Sequence, residues 1–157
     1  MRLLERYWSF ARDDLRLVLG AYAALLTTDV ELRVLGYKRL LERIERVPAT
    51  GAVSPRRLRR ARRFAGWLEE ASHRHAVRAR CLHRSLALHA WLRRKGLPSE
   101  LKIGVRKEND ELRAHAWVEL AGHVVNDRQE SVAAFVPLVG SRVGAALPAL
   151  RFADKGR

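Results

Sequence analysis

The sequence predicts an α+β protein: a helix carrying the single cysteine packs on a small antiparallel sheet, behind an N-terminal helical segment. Three observations predict it. Residues 3–96 place their apolar side chains mostly at helical spacing. Beyond Gly96-Leu97-Pro98-Ser99 the period changes to the alternation of strands. Cys81, the only cysteine among 157 residues, opens an amphipathic run, and a histidine and an aspartate follow on the strand-like stretches.

The chain reads as an N-terminal helical segment over 1–50, a linker, and a catalytic-type domain over 54–157. Leu3, Leu4, Tyr7, Trp8, Phe10 and Ala11 begin the first helical pattern. Leu15 through Leu26 is nearly apolar all round, which predicts a helix buried on every side. Thr27-Thr28-Asp29 predicts a break and a fresh N-cap. A second amphipathic helix then runs to Val47, with Glu31, Arg33, Lys38, Arg39, Glu42, Arg43 and Arg46 on its polar face. The linker is PATGAVSP, residues 48–55, in which Ser54 suits an N-cap and Pro55 a first helical position.

The next helix carries Leu58, Ala61, Phe64, Ala65, Trp67, Leu68 and Ala71. It also holds the densest basic cluster: Arg56, Arg57, Arg59, Arg60, Arg62 and Arg63. That cluster is either a solvated helix face or a docking site for an acidic segment. No glycine or proline lies between Trp67 and Gly96, so pattern alone permits one unbroken helix through Cys81. A reactive Cys81 requires otherwise. Only in a first turn are backbone N–H groups unbonded and the helix dipole favourable to a thiolate. The chemistry therefore calls for a break within residues 73–80. His73 and His75 in that stretch do not share a helical face and make no ligand set; neither a metal site nor a cofactor pattern is read.

Strands follow. Leu101, Ile103 and Val105 alternate with Lys102, Gly104 and Arg106; KENDE at 107–111 is a turn. In RAHAWVEL, residues 113–120, His115, Trp117 and Glu119 share one face. Ala121-Gly122 turns the chain into a third strand over 123–127, and residues 128–157 lose periodicity, with irregular packing at 135–138 and 145–148 and a frayed end.

Composition narrows the class. With 48% hydrophobic residues a real core forms. One cysteine excludes an internal disulfide framework. The N-terminus lacks signal-peptide character and no apolar run spans a bilayer, so a soluble, cytoplasmic protein without membrane insertion is expected. The net charge is +14, and only five of the 31 basic residues are lysines. An anionic partner, or simply an arginine-rich surface, accounts for this. A nucleic-acid module is disfavoured because no stacking-aromatic or recognition-helix motif accompanies the charge.

Alone, Cys81 reads as a small buried hydrophobe, His115 as a core histidine and Asp127 as a turn residue. Together they supply a nucleophile, a base and an orienting carboxylate. The hairpin tests the trio. With a two-residue turn, Asp127 falls opposite Ala116, away from His115. A three-residue loop puts it opposite Trp117, on His115's side. A working trio thus calls for the longer loop or a bulge before Asp127, and otherwise Asn126 takes its place.

CLHRSLAL, GL, LKIGV, AHAWVE and HVVND, in that order over residues 78–138, resemble the leader peptidases of lasso-peptide biosynthesis, the B proteins. That resemblance implies a transglutaminase-like, papain-like cysteine protease core in which Cys81, His115 and Asp127 are catalytic. It implies a precursor leader peptide as substrate and a separate small, PqqD-like leader-recognition protein as partner, with the lasso cyclase acting next. No cofactor or nucleic acid is implied. Arg84 and Ser85, three and four residues past Cys81, and Trp117, beside His115, are candidates for substrate binding or support. The same thiol chemistry also serves deamidation or acyl transfer to an amine.

Overall fold

The computed structural model describes residues 2–74, 81–109, 111–138 and 151–152, with side chains from residue 14 onward except those of residues 74, 151 and 152. Three helices come first: α1 (Arg2–Glu45), α2 (Pro55–Arg74) and α3 (Cys81–Arg94). Strands β1 (Ser99–Glu108), β2 (Glu111–Leu120) and β3 (His123–Val124) follow, then α4 (Gln129–Ala133), β4 (Val136–Pro137) and β5 (Arg151–Phe152). The sheet order is β3-β2-β1-β4, with β5 pairing parallel to β2 at Arg113 and Ala114. The other pairings are antiparallel, so the α+β class holds.

The break before Cys81 follows from packing. Phe64 of α2 stacks on Trp91 of α3 with ring centroids 4.2 Å apart. In one continuous helix those residues would lie about 40 Å apart. The two helices instead lie side by side, burying Ala61, Phe64, Leu68, Leu88 and Leu92 in one cluster. That cluster continues through Leu17, Ala21 and Leu25 of α1 to Val118 and Leu120 of β2. A second cluster joins Leu40 and Ile44 of α1 to Cys81, Leu82, Leu86, Ile103 and Ala116. α3 is thus held between α1, α2 and the sheet. It ends as predicted: Leu97 N–H bonds the Leu92 carbonyl and Gly96 N–H that of Arg93 around a left-handed Gly96.

Two expectations about α1 fail. Its helix passes through Thr27-Thr28-Asp29 without a break. Thr28 is buried, and Asp29 pairs with Arg33 one turn on at 2.9 Å instead of capping. The irregularity lies at Gly36, with φ 74° and ψ 166°. Nor is Leu15–Leu26 buried all round. Leu17, Ala21 and Leu25 face the core, while Leu15, Leu19 and Leu26 are more than half exposed, because α2 and α3 cover one side only.

The turn at 107–111 shrinks, since β1 and β2 pair from Ser99↔Leu120 out to Glu108↔Glu111. The third strand is shorter than predicted, ending at Val124. Residues 128–138 are more regular than their sequence shows, forming α4 and β4. The predicted irregular stretch at 145–148 and the frayed end at 154–157 lie outside the described residues.

Candidate active site

Cys81 is the first residue of α3 and is 2% exposed. Its N–H sits in the first turn, where no carbonyl of the same helix can accept it. His115 stands in β2 and lines the same cavity as Cys81, near enough for the sulfur to bear on its ionisation. His115 Nε2 donates to Asp127 Oδ2 at 2.6 Å. With Nε2 taken, Nδ1 is the nitrogen left to face the sulfur. The Asp127 side chain is 3% exposed and that of His115 8%. The second carboxylate oxygen of Asp127 accepts the Arg128 N–H at 2.7 Å. Cys81, His115 and Asp127 line one small cleft of about 10 Å³, room for a single water, with Ala116, Asn126 and Arg84; its far wall is Ala65, Leu68 and Glu69 of α2, and a larger groove of about 550 Å³ adjoins it over Ala65, Glu69, Asn126 and Asp127.

The hairpin reaches this arrangement without the longer loop, by an irregularity just before Asp127. Its turn is the two-residue one: Glu119 pairs with Val124, Leu120 with His123, and Ala121 and Gly122 both have positive φ. Val125 N–H still bonds Val118 O at 3.0 Å, in the same register. The chain then bends over residues 125–127 and leaves the ladder. Asn126 makes the exit. Its Oδ1 accepts the Val118 N–H at 2.8 Å, where a strand would offer a backbone carbonyl, and its Nδ2 donates to Ser85 Oγ at 2.9 Å. Side-chain alternation no longer applies past this point, and Asp127 swings back to His115. The three-residue loop is therefore overturned, while the histidine–aspartate contact stands. Asn126 anchors the bend and does not replace Asp127.

Electrostatics follow from burial and contact. Burial alone would lower the pKa of His115. The hydrogen bonds to Asp127 and Cys81, with their charges, outweigh it and raise the value to about 9. Imidazolium is thus the favoured form at neutral pH.

Three further candidates divide. Ser85, fully buried, donates its hydroxyl to Ala116 O at 2.9 Å and accepts from Asn126, so it braces α3 against β2. Arg84 is 8% exposed, and its Nη1 donates to Ser72 Oγ at 3.2 Å; among the described residues no carboxylate pairs with it. Trp117 donates its indole N–H to Glu119 at 2.9 Å and clusters with Val124, Val132 and Phe135.

Sequence reading missed what supports the histidine. The Phe135 ring lies 5.2 Å from that of His115, and Trp117 lies 6.2 Å away. Gly104, paired opposite His115, makes room for both. A Cβ there would come within 2.8 Å of Phe135 Cβ and 2.9 Å of the Trp117 ring. Glycine within a strand was the available signal.

A buried thiol at a helix start, with an imidazole between it and a carboxylate, is an arrangement suited to thiol chemistry at a carbonyl carbon. Comparison with protein families agrees: residues 24–140 match the transglutaminase-like superfamily, and the chain belongs to it. That family match begins inside α1 and takes in α2, α3 and most of the sheet. No curated protein and no solved structure gives a significant match.

Proposed function

We propose that this chain is a cysteine peptidase that removes the leader from a ribosomally made lasso-peptide precursor. The observation that carries the chemistry is the convergence of Cys81, His115 and Asp127 in one cleft. The resemblance of the strings around those residues to the lasso leader peptidases supports the substrate.

The Cys81 thiolate attacks the scissile carbonyl carbon, forming the carbon–sulfur bond as the carbonyl π pair moves to oxygen. The first-turn N–H of Cys81 is placed to donate to that oxyanion. As the tetrahedral centre collapses, His115 passes its Nδ1 proton to the departing amine, which leaves with the carbon–nitrogen bond pair. Water then attacks the thioester while His115 takes its proton, and the thiolate is restored with the leader as a free acid. Asp127 holds the ring and stabilises its charged form throughout. Arg84 contributes by orienting substrate in the cleft. A separate small leader-recognition protein delivers the precursor, the cyclase consumes the freed amine, and the reaction takes place in the cytoplasm. No described helix is long and apolar enough to cross a membrane.

The test mixes precursor, recognition protein and the full chain, and follows products by mass spectrometry with and without an added amine. Two fragments, the C-terminal one with a free α-amine and the leader as an acid, are expected. A leader recovered only as an amide would make the chain an acyl transferase. One ammonia released for one water taken up, with no cleavage, would make it a deamidase.

A further inference from the structure

We propose that the basic pocket between the start of α2 and the end of α3 docks an acidic segment of the peptide substrate, apart from the thiol cleft. The inference rests on the reading that the cleft acts on a peptide. The pocket has a volume of about 500 Å³, and Arg56, Arg57, Arg60 and Lys95 line it with Ser54 and Trp91; no carboxylate does.

Other arginines of the protein have acidic partners: Arg63 pairs with Asp14, Arg33 with Asp29 and Arg43 with Glu31. Among the described residues none of the four pocket cations has one. Four cations converging on one concavity raise its affinity for anions beyond that of scattered surface charge.

The pocket is also braced before any ligand arrives. Gly51 N–H bonds the Gly96 carbonyl at 2.8 Å, tying the linker to the end of α3, and Arg57 Nη1 donates to Ala52 O at 2.9 Å. Trp91 is fixed by Phe64 against one face, and Lys95 Nζ lies 6.0 Å over the ring. With Phe64 and Lys95 over the ring, Trp91 is no open platform for a nucleobase, which favours carboxylates over a nucleic acid.

The spacing adds a constraint. Trp91 lies ten residues beyond Cys81 on α3 and Lys95 fourteen, one residue past the end of the helix, a distance of about 15–21 Å at the helical rise. An extended peptide needs about five or six residues to cover it. An acidic segment closer than that to the scissile bond cannot occupy both places.

The experiment measures binding, so an inactive enzyme would count against the peptidase reading and not against the pocket. A fluorescent twelve-residue peptide with three glutamates, and its glutamine counterpart, are titrated by anisotropy against the full chain carrying Cys81→Ala. About tenfold tighter binding of the glutamate peptide is expected. The pair Arg56→Ser/Arg60→Ser, and separately Lys95→Ser, should erase most of that preference. The charge-matched pair Arg33→Ser/Arg43→Ser should keep it; all these side chains are on the surface, and circular dichroism confirms each fold. Equal affinity for the two peptides overturns the proposal. So does equal loss in the control pair, or displacement of the peptide by single-stranded DNA at a lower charge concentration.

Discussion

The sulfur, the imidazole and the carboxylate depend on one another. Cys81→Ala is expected to abolish cleavage, since no second thiol exists, and mass spectrometry of the products reads it directly. The same change removes one hydrogen bond and one charge that raise the His115 pKa from its ordinary 6.5 to about 9. An NMR titration should therefore find His115 ionising at lower pH in the variant than in the wild type. A folded-state value above the unfolded one means the charged ring stabilises the fold fully below about pH 6.5, and that this contribution is lost as pH rises through about 9. Urea midpoints should fall over that window in the wild type and stay flatter in His115→Gln. Cleavage should decline over the same upper limb, as the leaving amine loses its proton donor. All three residues were legible in the sequence, because each is a reactive type placed in the order that a helix, a strand and a following turn can bring together. The side chains packed around the imidazole were not. Phe135 and Gly104 belong to segments 31 residues apart, and no local pattern says they meet.

The second and third strands show where periodicity stops being informative. Alternation identified β2 and its faces, but an unbroken ladder with the two-residue turn would put Asp127 on the side away from His115. What decides the outcome is a side chain acting as backbone, since the Asn126 amide takes the Val118 N–H and holds Ser85. Asn126→Ala leaves that N–H unsatisfied and frees the bend. It should cost about 1–3 kcal/mol by denaturant titration and slow turnover more than it weakens substrate binding. Gly104→Ala is a strand-level lesion of another kind. Its methyl group would push on Phe135 and the Trp117 ring. About 1–3 kcal/mol of overpacking is expected, with a lower kcat as His115 loses its support. If kcat survived unchanged, the aromatic packing around His115 would have no part in setting its position.

Across the molecule, hydrophobicity separated core from surface less well than it identified elements. α1 carries apolar residues on both sides, yet only one side meets α2 and α3. Leu25→Ala should therefore cost about 2–5 kcal/mol. Leu19→Ser and Val34→Ser, at 60% and 75% exposure, should stay within about 0.5 kcal/mol of wild type. Chemical denaturation of the three variants separates the cases. Composition could not make the distinction, because which face of a long helix is covered depends on partners distant in sequence. The break between α2 and α3 was inferred from chemistry instead: a nucleophile needed a helix start.

The tight turn at Ala121-Gly122 lies outside the anchored part of its hairpin. Val125 and Asn126 fasten the descending chain to Val118 and Ser85 before Asp127 is reached. Insertion at the loop tip is therefore expected to leave the cleft undisturbed. A short epitope or a fluorophore-bearing loop spliced between Ala121 and Gly122 would report on the folded protein from a place only a few residues from Asp127.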